Sequence, residues 1–373
     1  MSGERVQRLR RLAEGWVADG LVSALVVLVA RHGVVVLHDA FGRLTPKPDG
    51  PPLPLDTIFP LLSLSKPVTA TAAMILVDDG RLGLHRRLAQ YIPEFVGEYK
   101  NLVRVHQLMT HTAGLDIEFT TLYGQTKSFE VVDRSLQPTQ NPRIAAYLAR
   151  RYALPLAKPP GIEMQYSSHG IELLGEVIRR VSGQSLADFA RGRIFVPLGM
   201  RDTSYGLPKS ARPKVVHRSP SAPDAEWLDS PEFQETPWSG GGVYSTAWDM
   251  AVFGQAFLNR GRYGESVLLS PAAVAEMTRN QIPGLSARWE EETFREASWG
   301  YGWSIRGPKQ GMLGGNLLSS AAFDHGGTGG VYLWVDPTND LVGAYFSALV
   351  VEASLPADLF VNAATAAIVD GAA

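Results

Sequence analysis

The chain has no cysteine. That excludes a disulfide framework and a thiolate nucleophile, and makes a cytoplasmic, reducing compartment the simplest expectation. Charge of one sign is scarce as well. With 35 basic and 37 acidic side chains the formal net charge is -2, so no electrostatic footprint for nucleic acid is present. The first long apolar run, residues 21–30, is too short to cross a bilayer and gives way at once to Arg31, His32 and Gly33, so no membrane partner is expected. No G-x-S-x-G elbow, no G-x-x-x-x-G-K-[ST] loop and no H-E-x-x-H pair occurs. These absences speak against an α/β-hydrolase, a nucleotide phosphate site and a zinc protease, and we expect neither metal nor cofactor.

What is present is an ordinary globular composition, 45% hydrophobic, over 373 residues. That length implies one large domain with an insertion, or two domains sharing an interface. Residues 1–16 interleave arginines with Val6, Leu9 and Leu12, as in an amphipathic helix rather than a signal peptide. Residues 24–30 and 34–41 read as two strands joined by a tight turn, and the prolines of residues 45–55 force an irregular connection. Residues 67–77 carry no charge and end at Asp78-Asp79-Gly80, which predicts a helix buried on all sides. Ile171, Leu174, Ile178 and Val181 recur at helical spacing up to Ser182-Gly183, and Ser185 with Asp188 opens another helix. Proline and serine crowd residues 204–238, marking a loop or boundary. Strands return at residues 300–305, 330–335 and 341–348, before a last helix at about 356–369.

Strands at both ends around a helical middle predict an α+β fold whose early and late strands share one antiparallel sheet flanked by the terminal helices. We place the sheet part in residues 1–84 and 232–373, the mainly helical part in residues 85–231, and the active site between them.

The chemistry concentrates in three segments. The first is Ser63-Leu64-Ser65-Lys66, at the mouth of the uncharged helix, where residues three apart lie side by side. Serine needs an adjacent base, and a lysine can supply one if burial disfavours its charged form. Taken alone, the same pattern also describes a helix cap with a solvent-facing lysine. The second is Tyr166-Ser167-Ser168, on a loop at a helix entrance. A phenol beside a lysine ammonium is expected to be stabilised as phenolate, to take the Ser63 proton and to return it to the leaving group. The third is His325-Gly326-Gly327-Thr328, directly before an apolar strand, where glycines admit a close backbone approach and an edge amide can face an oxyanion.

Together these segments resemble those of the class C β-lactamases, and most closely the family VIII carboxylesterases. Residues 107–115, 197–203 and 240–246 resemble further stretches in the same order, so the resemblance covers nearly the whole chain and implies a β-lactamase/transpeptidase-like fold. It implies Ser63 as the acylated nucleophile, Lys66 and Tyr166 as its proton-transfer partners, and an oxyanion hole from the backbone N–H groups of Ser63 and Thr328. Ser168, His325, Gly326 and Gly327 would line the substrate site. Two departures point to esters: Ser168 stands where class C enzymes carry the asparagine of Y-x-N, and His325-Gly326 replaces the Lys-Thr of K-T-G. An amide and an ammonium suit a lactam's amide and carboxylate, and both are missing here.

Tyr123 and Phe119 fall between the motifs and are candidates for the acyl pocket, or for packing in the helical part. His106 and His111 are expected to be structural, and residues 289–299 to form a flap or a solvated loop. The expected partner is a small ester, and the expected state a monomer or homodimer. β-Lactam hydrolysis, D-amino-acid peptidase action and acyl transfer to an alcohol use the same residues, while a non-catalytic binder has no use for an activated serine.

Overall fold

The computed structural model describes residues 1–47, 49–115, 136–137, 139–218, 225–289, 292–308, 314–349 and 355–369. Its frame is a six-stranded antiparallel sheet built from both ends of the chain. The strands are β1 (Val22–Arg31), β2 (Val34–Gly42), β3 (Ser304–Ile305), β4 (Phe323–Gly327), β5 (Val331–Asp336) and β6 (Leu341–Leu349). Their order across the sheet is β3-β4-β5-β6-β1-β2, so the predicted union of early and late strands holds.

β1 is apolar at almost every position because both faces of the sheet are covered. Leu25, Val27 and Val29 point into one cluster with Leu9 and Trp16 of helix α1 (Gly3–Ala18). Across the sheet, Ala24, Val26 and Leu28 join a larger cluster that includes the helix α2 (Ser65–Asp78). That period of two turns one unbroken apolar run into two opposite contact surfaces. Between β5 and β6, Trp334 faces Gly343, and a Cβ on that glycine would lie 2.0 Å from the indole ring. The glycine opposite the tryptophan is therefore a packing requirement.

The helical middle contains α3 (Pro142–Arg151) and α4 (Ser168–Ser182). Ser167 caps α4, and Gly183 ends it in the left-handed region at φ 75, as the Ser182-Gly183 signal predicts. Two helices complete the large elements: α5 (Ala247–Leu258) on the larger cluster, and α6 (Leu355–Ala366) beside α1.

Two expectations change. Only Ser304 and Ile305 of the predicted strand 300–305 are extended. Gly300 N–H bonds the Trp303 carbonyl at 2.8 Å, and Gly302 turns the chain at φ 80 with no room for a Cβ beside Ala70 of α2. The apolar run there packs against α2 instead of extending the strand. The described part of the proline-rich stretch 204–238 is broken into short pieces, among them the strand Ser204–Tyr205 and the helix Pro231–Gln234. Among the described residues no helix is long and apolar enough to cross a membrane.

Candidate active site

α2 is entered through a single 3-10 turn, Leu62–Leu64. Leu62 sits at φ 47, a left-handed conformation unusual for a leucine and costing about 1 kcal/mol. The surroundings hold it there. Leu61 N–H bonds the Val243 carbonyl at 2.8 Å, and Ser65 Oγ accepts the Val243 N–H at 3.0 Å. Ser63 thus stands at the helix mouth, in the turn rather than in the helix, and Lys66 lies in the first helical turn.

Lys66 is fully buried. Its Nζ is 2.8 Å from Ser63 Oγ and donates to the Gly240 carbonyl at 3.0 Å. Burial drives its ammonium from 10.5 down to about 7, opposed by the nearby charge of Glu172. Near neutral pH the lysine therefore carries a lone pair within reach of the serine hydroxyl, the arrangement an activated serine needs.

Tyr166 follows the two-residue strand Met164–Gln165 and precedes the Ser167 cap, whose Oγ accepts the Gly170 N–H at 3.2 Å. Its ring centroid lies 4.9 Å from Lys66 Nζ. Burial pushes the phenol up, while its hydrogen bond with Ser63 pulls the other way. The expected phenolate is thereby corrected. With Lys66 itself shifted toward neutrality, little cationic charge is left to offset the desolvation of a tyrosinate, so the site favours the neutral phenol.

His325 lies on β4, its ring 6.3 Å from that of Tyr166, and its Nδ1 donates to the Gly326 carbonyl at 2.7 Å. Gly326 faces Tyr332 across the strand pair. A Cβ on Gly327 would lie 2.1 Å from the Leu61 carbonyl oxygen, so only glycine lets β4 approach the segment entering Ser63 this closely. Thr328 follows in the turn closed by Gly330 N–H on the Gly327 carbonyl at 3.1 Å. Ser168 is the buried first residue of α4. The fold thus gathers Ser63, Lys66, Tyr166 and His325, with the Gly326-Gly327 strand alongside. Tyr123 and Phe119 lie outside the described residues.

The histidines separate. His106 lies in the short helix Val105–Met109, pushed down to about 4 by burial, and its ring is 4.9 Å from that of His85. His111, beyond that helix at φ 56, packs its ring 4.5 Å from Tyr166 and accepts the Ser167 N–H on Nδ1 at 3.2 Å. Burial holds it neutral, well below its ordinary value. Its ring and Nδ1 brace the tyrosine loop.

The described part of residues 289–299 is neither a free flap nor a loop alone. Ala287–Trp289 pairs with Glu292–Phe294 and, in parallel, with Met164–Gln165. Trp299 is buried against His111, Tyr166 and His325. Sequence reasoning missed Trp299, and it missed Glu172. The signal for Glu172 was a lone carboxylate inside the apolar stretch Ile171 to Leu174. Among the described residues no cluster of His, Cys, Asp or Glu could hold a metal ion.

A family model described as Beta-lactamase matches residues 9–367. Penicillin-binding protein 4 of Amycolatopsis lactamdurans is 29% identical over 338 residues, 87% of this chain and 81% of that protein. Esterase EstB of Burkholderia gladioli is 34% identical over 194 residues, 50% of this chain and 47% of that protein. A solved family VIII carboxylesterase superposes with a TM-score of 0.74 at 21% identity, covering 99% of both chains, which is a likeness of fold.

Proposed function

Because the chain belongs to the Beta-lactamase family of serine hydrolases, we propose that it is a carboxylesterase, hydrolysing small esters through an acyl-enzyme on Ser63. The observation that carries the mechanism is the fully buried Lys66 amine 2.8 Å from Ser63 Oγ. Ser63 attacks the ester carbonyl as its proton passes to Lys66 Nζ. The backbone N–H groups of Ser63 and Thr328 receive the oxyanion. Tyr166, bonded to Ser63, donates its proton to the departing alkoxide and is reprotonated from the Lys66 ammonium. Water then enters by the same route in reverse and releases the acid.

Ester specificity is supported by Ser168 and His325, which offer neither the amide nor the ammonium suited to a lactam. An alkoxide also leaves more readily than an amide nitrogen, so modest proton delivery suffices. Amide chemistry is the second reading. It is favoured by the similarity to a penicillin-binding protein over 87% of the chain, against 50% for the esterase. The test compares turnover of a short-chain nitrophenyl ester and a chromogenic cephalosporin, each with a Ser63→Ala control and mass spectrometry of the protein. Ester turnover lost in the control, with an acyl adduct on Ser63, supports the proposal; dominant cephalosporin turnover replaces it with the second reading.

A further inference from the structure

Glu172 lies on α4 and is fully buried. A carboxylate withdrawn from water is costly unless its oxygens find donors. One oxygen accepts the Gly240 N–H at 2.8 Å and the other the Ser239 N–H at 3.1 Å. The same two residues turn their carbonyls to α2. Gly240 accepts from Lys66 Nζ at 3.0 Å, and Ser239 accepts from the Thr69 hydroxyl at 2.6 Å. This short backbone segment is therefore clamped between the carboxylate on one side and two side chains of α2 on the other.

The charged and titratable groups around this clamp leave Glu172 as the acidic influence on Lys66. On α3, Tyr147 is kept protonated by burial and by Glu172, with Arg151 opposing. Tyr205, which shares a hydrogen bond with Thr69, is kept protonated in the same way. His169 of α4 is held neutral by burial, beside the charges of Arg151 and Lys100. On the Ser63 side, Lys66 faces Tyr166 and His111, with His325 beyond.

We propose that Glu172 is a positioning residue for the Ser63–Lys66 pair. Through the Ser239–Gly240 backbone it aims the Gly240 carbonyl at Lys66, so that one N–H of the amine is held away and its lone pair faces the serine hydroxyl. The inference rests on the acyl-enzyme reading above and adds to it a residue that touches no substrate. The negative charge has a second effect, which is to keep Lys66 from losing its proton too easily.

Glu172→Gln tests both effects, because the amide nitrogen cannot accept the second backbone N–H and the charge is gone. With a short-chain nitrophenyl ester, kcat is expected to fall about tenfold or more with KM little changed. The acid limb of kcat/KM should move to lower pH by about half a unit or more. A purely structural carboxylate would reduce the amount of active protein and leave the limb in place, and that result overturns the proposal. Glu172→Asp, which keeps the charge but draws it back by one methylene, should lower kcat and leave the limb unmoved; wild-type kcat in this variant also overturns it.

Titration of the Lys66 side chain by 13C NMR reads the same shift without turnover. A wild type that turns over no ester, with Lys66 titrating lower in Glu172→Gln, would sink the esterase reading and leave the positioning role standing. An active wild type whose kcat and Lys66 titration are both unchanged in Glu172→Gln sinks the positioning role alone. Loss of the fold in both variants assigns the carboxylate to the fold and overturns the proposal too.

Discussion

Replacing Lys66 by methionine should make the protein more stable and inactive. Burial brings Lys66 from 10.5 to about 7, and that gap is worth ~5 kcal/mol of destabilisation at and below neutral pH. Methionine fills a similar volume without a charge. It leaves the Gly240 carbonyl and the Ser63 hydroxyl without their partner, at a cost of about 1–3 kcal/mol. The balance is a gain of about 2–4 kcal/mol near pH 7, a few degrees in Tm for a chain of this size. The gain depends on pH. The unfolded lysine keeps its proton up to about 10.5 and the folded one only to about 7, so between these values the unfolded state binds more protons. Wild-type stability therefore climbs through that window while the variant's does not, and the two curves cross near about pH 9. Urea or thermal unfolding at a series of pH values measures the crossing. A variant less stable than wild type at pH 7, by a margin that does not change with pH, would show that the buried ammonium does not destabilise the fold.

Other outcomes follow from the same geometry. In the wild type, kcat/KM for a short ester should rise about tenfold between pH 6 and pH 8 as Lys66 loses its proton, and a pH–rate profile checks this. Tyr166→Phe should lower kcat by about 10²–10⁴-fold in steady-state assays of the folded variant. Because burial pushes the phenol up, the wild-type profile should show no loss of activity from Tyr166 ionisation below about pH 10. Gly343→Ala should lower stability by about 1–3 kcal/mol, measured by thermal unfolding, because its Cβ would meet the Trp334 ring at 2.0 Å; kcat of the folded fraction should be unchanged.

The frame was legible because it is carried by period and punctuation. The uncharged run after Lys66, the Ser182-Gly183 stop and the turn at Arg31-His32-Gly33 each act within a few residues, and each stands in the structure. Ser63 and Lys66 were legible for the same reason, since a spacing of three brings side chains together near a helix start. What escaped depends on partners distant in sequence. Glu172 has a role only because residues 239 and 240 fold back onto it. Trp299 joins Tyr166 and His325 only once the strand Ala287–Trp289 is laid beside residues 164–165. The protonation of Tyr166 was misjudged because burial cannot be read locally. Out of water, burial disfavours the charged form of both Lys66 and Tyr166.

The pairing of β1 with β6 sets a condition on synthesis. Leu28 faces Ala344, so an interior strand of the sheet waits for a partner made roughly 300 residues later. Such long-range contacts close slowly. Until they close, β1 has β2 and α1 beside it but lacks β6, and the sheet stays incomplete. A ribosome-bound chain lacking β6 is therefore expected to be inactive and prone to aggregation, and hydrolytic competence arrives only when the last strand closes the sheet.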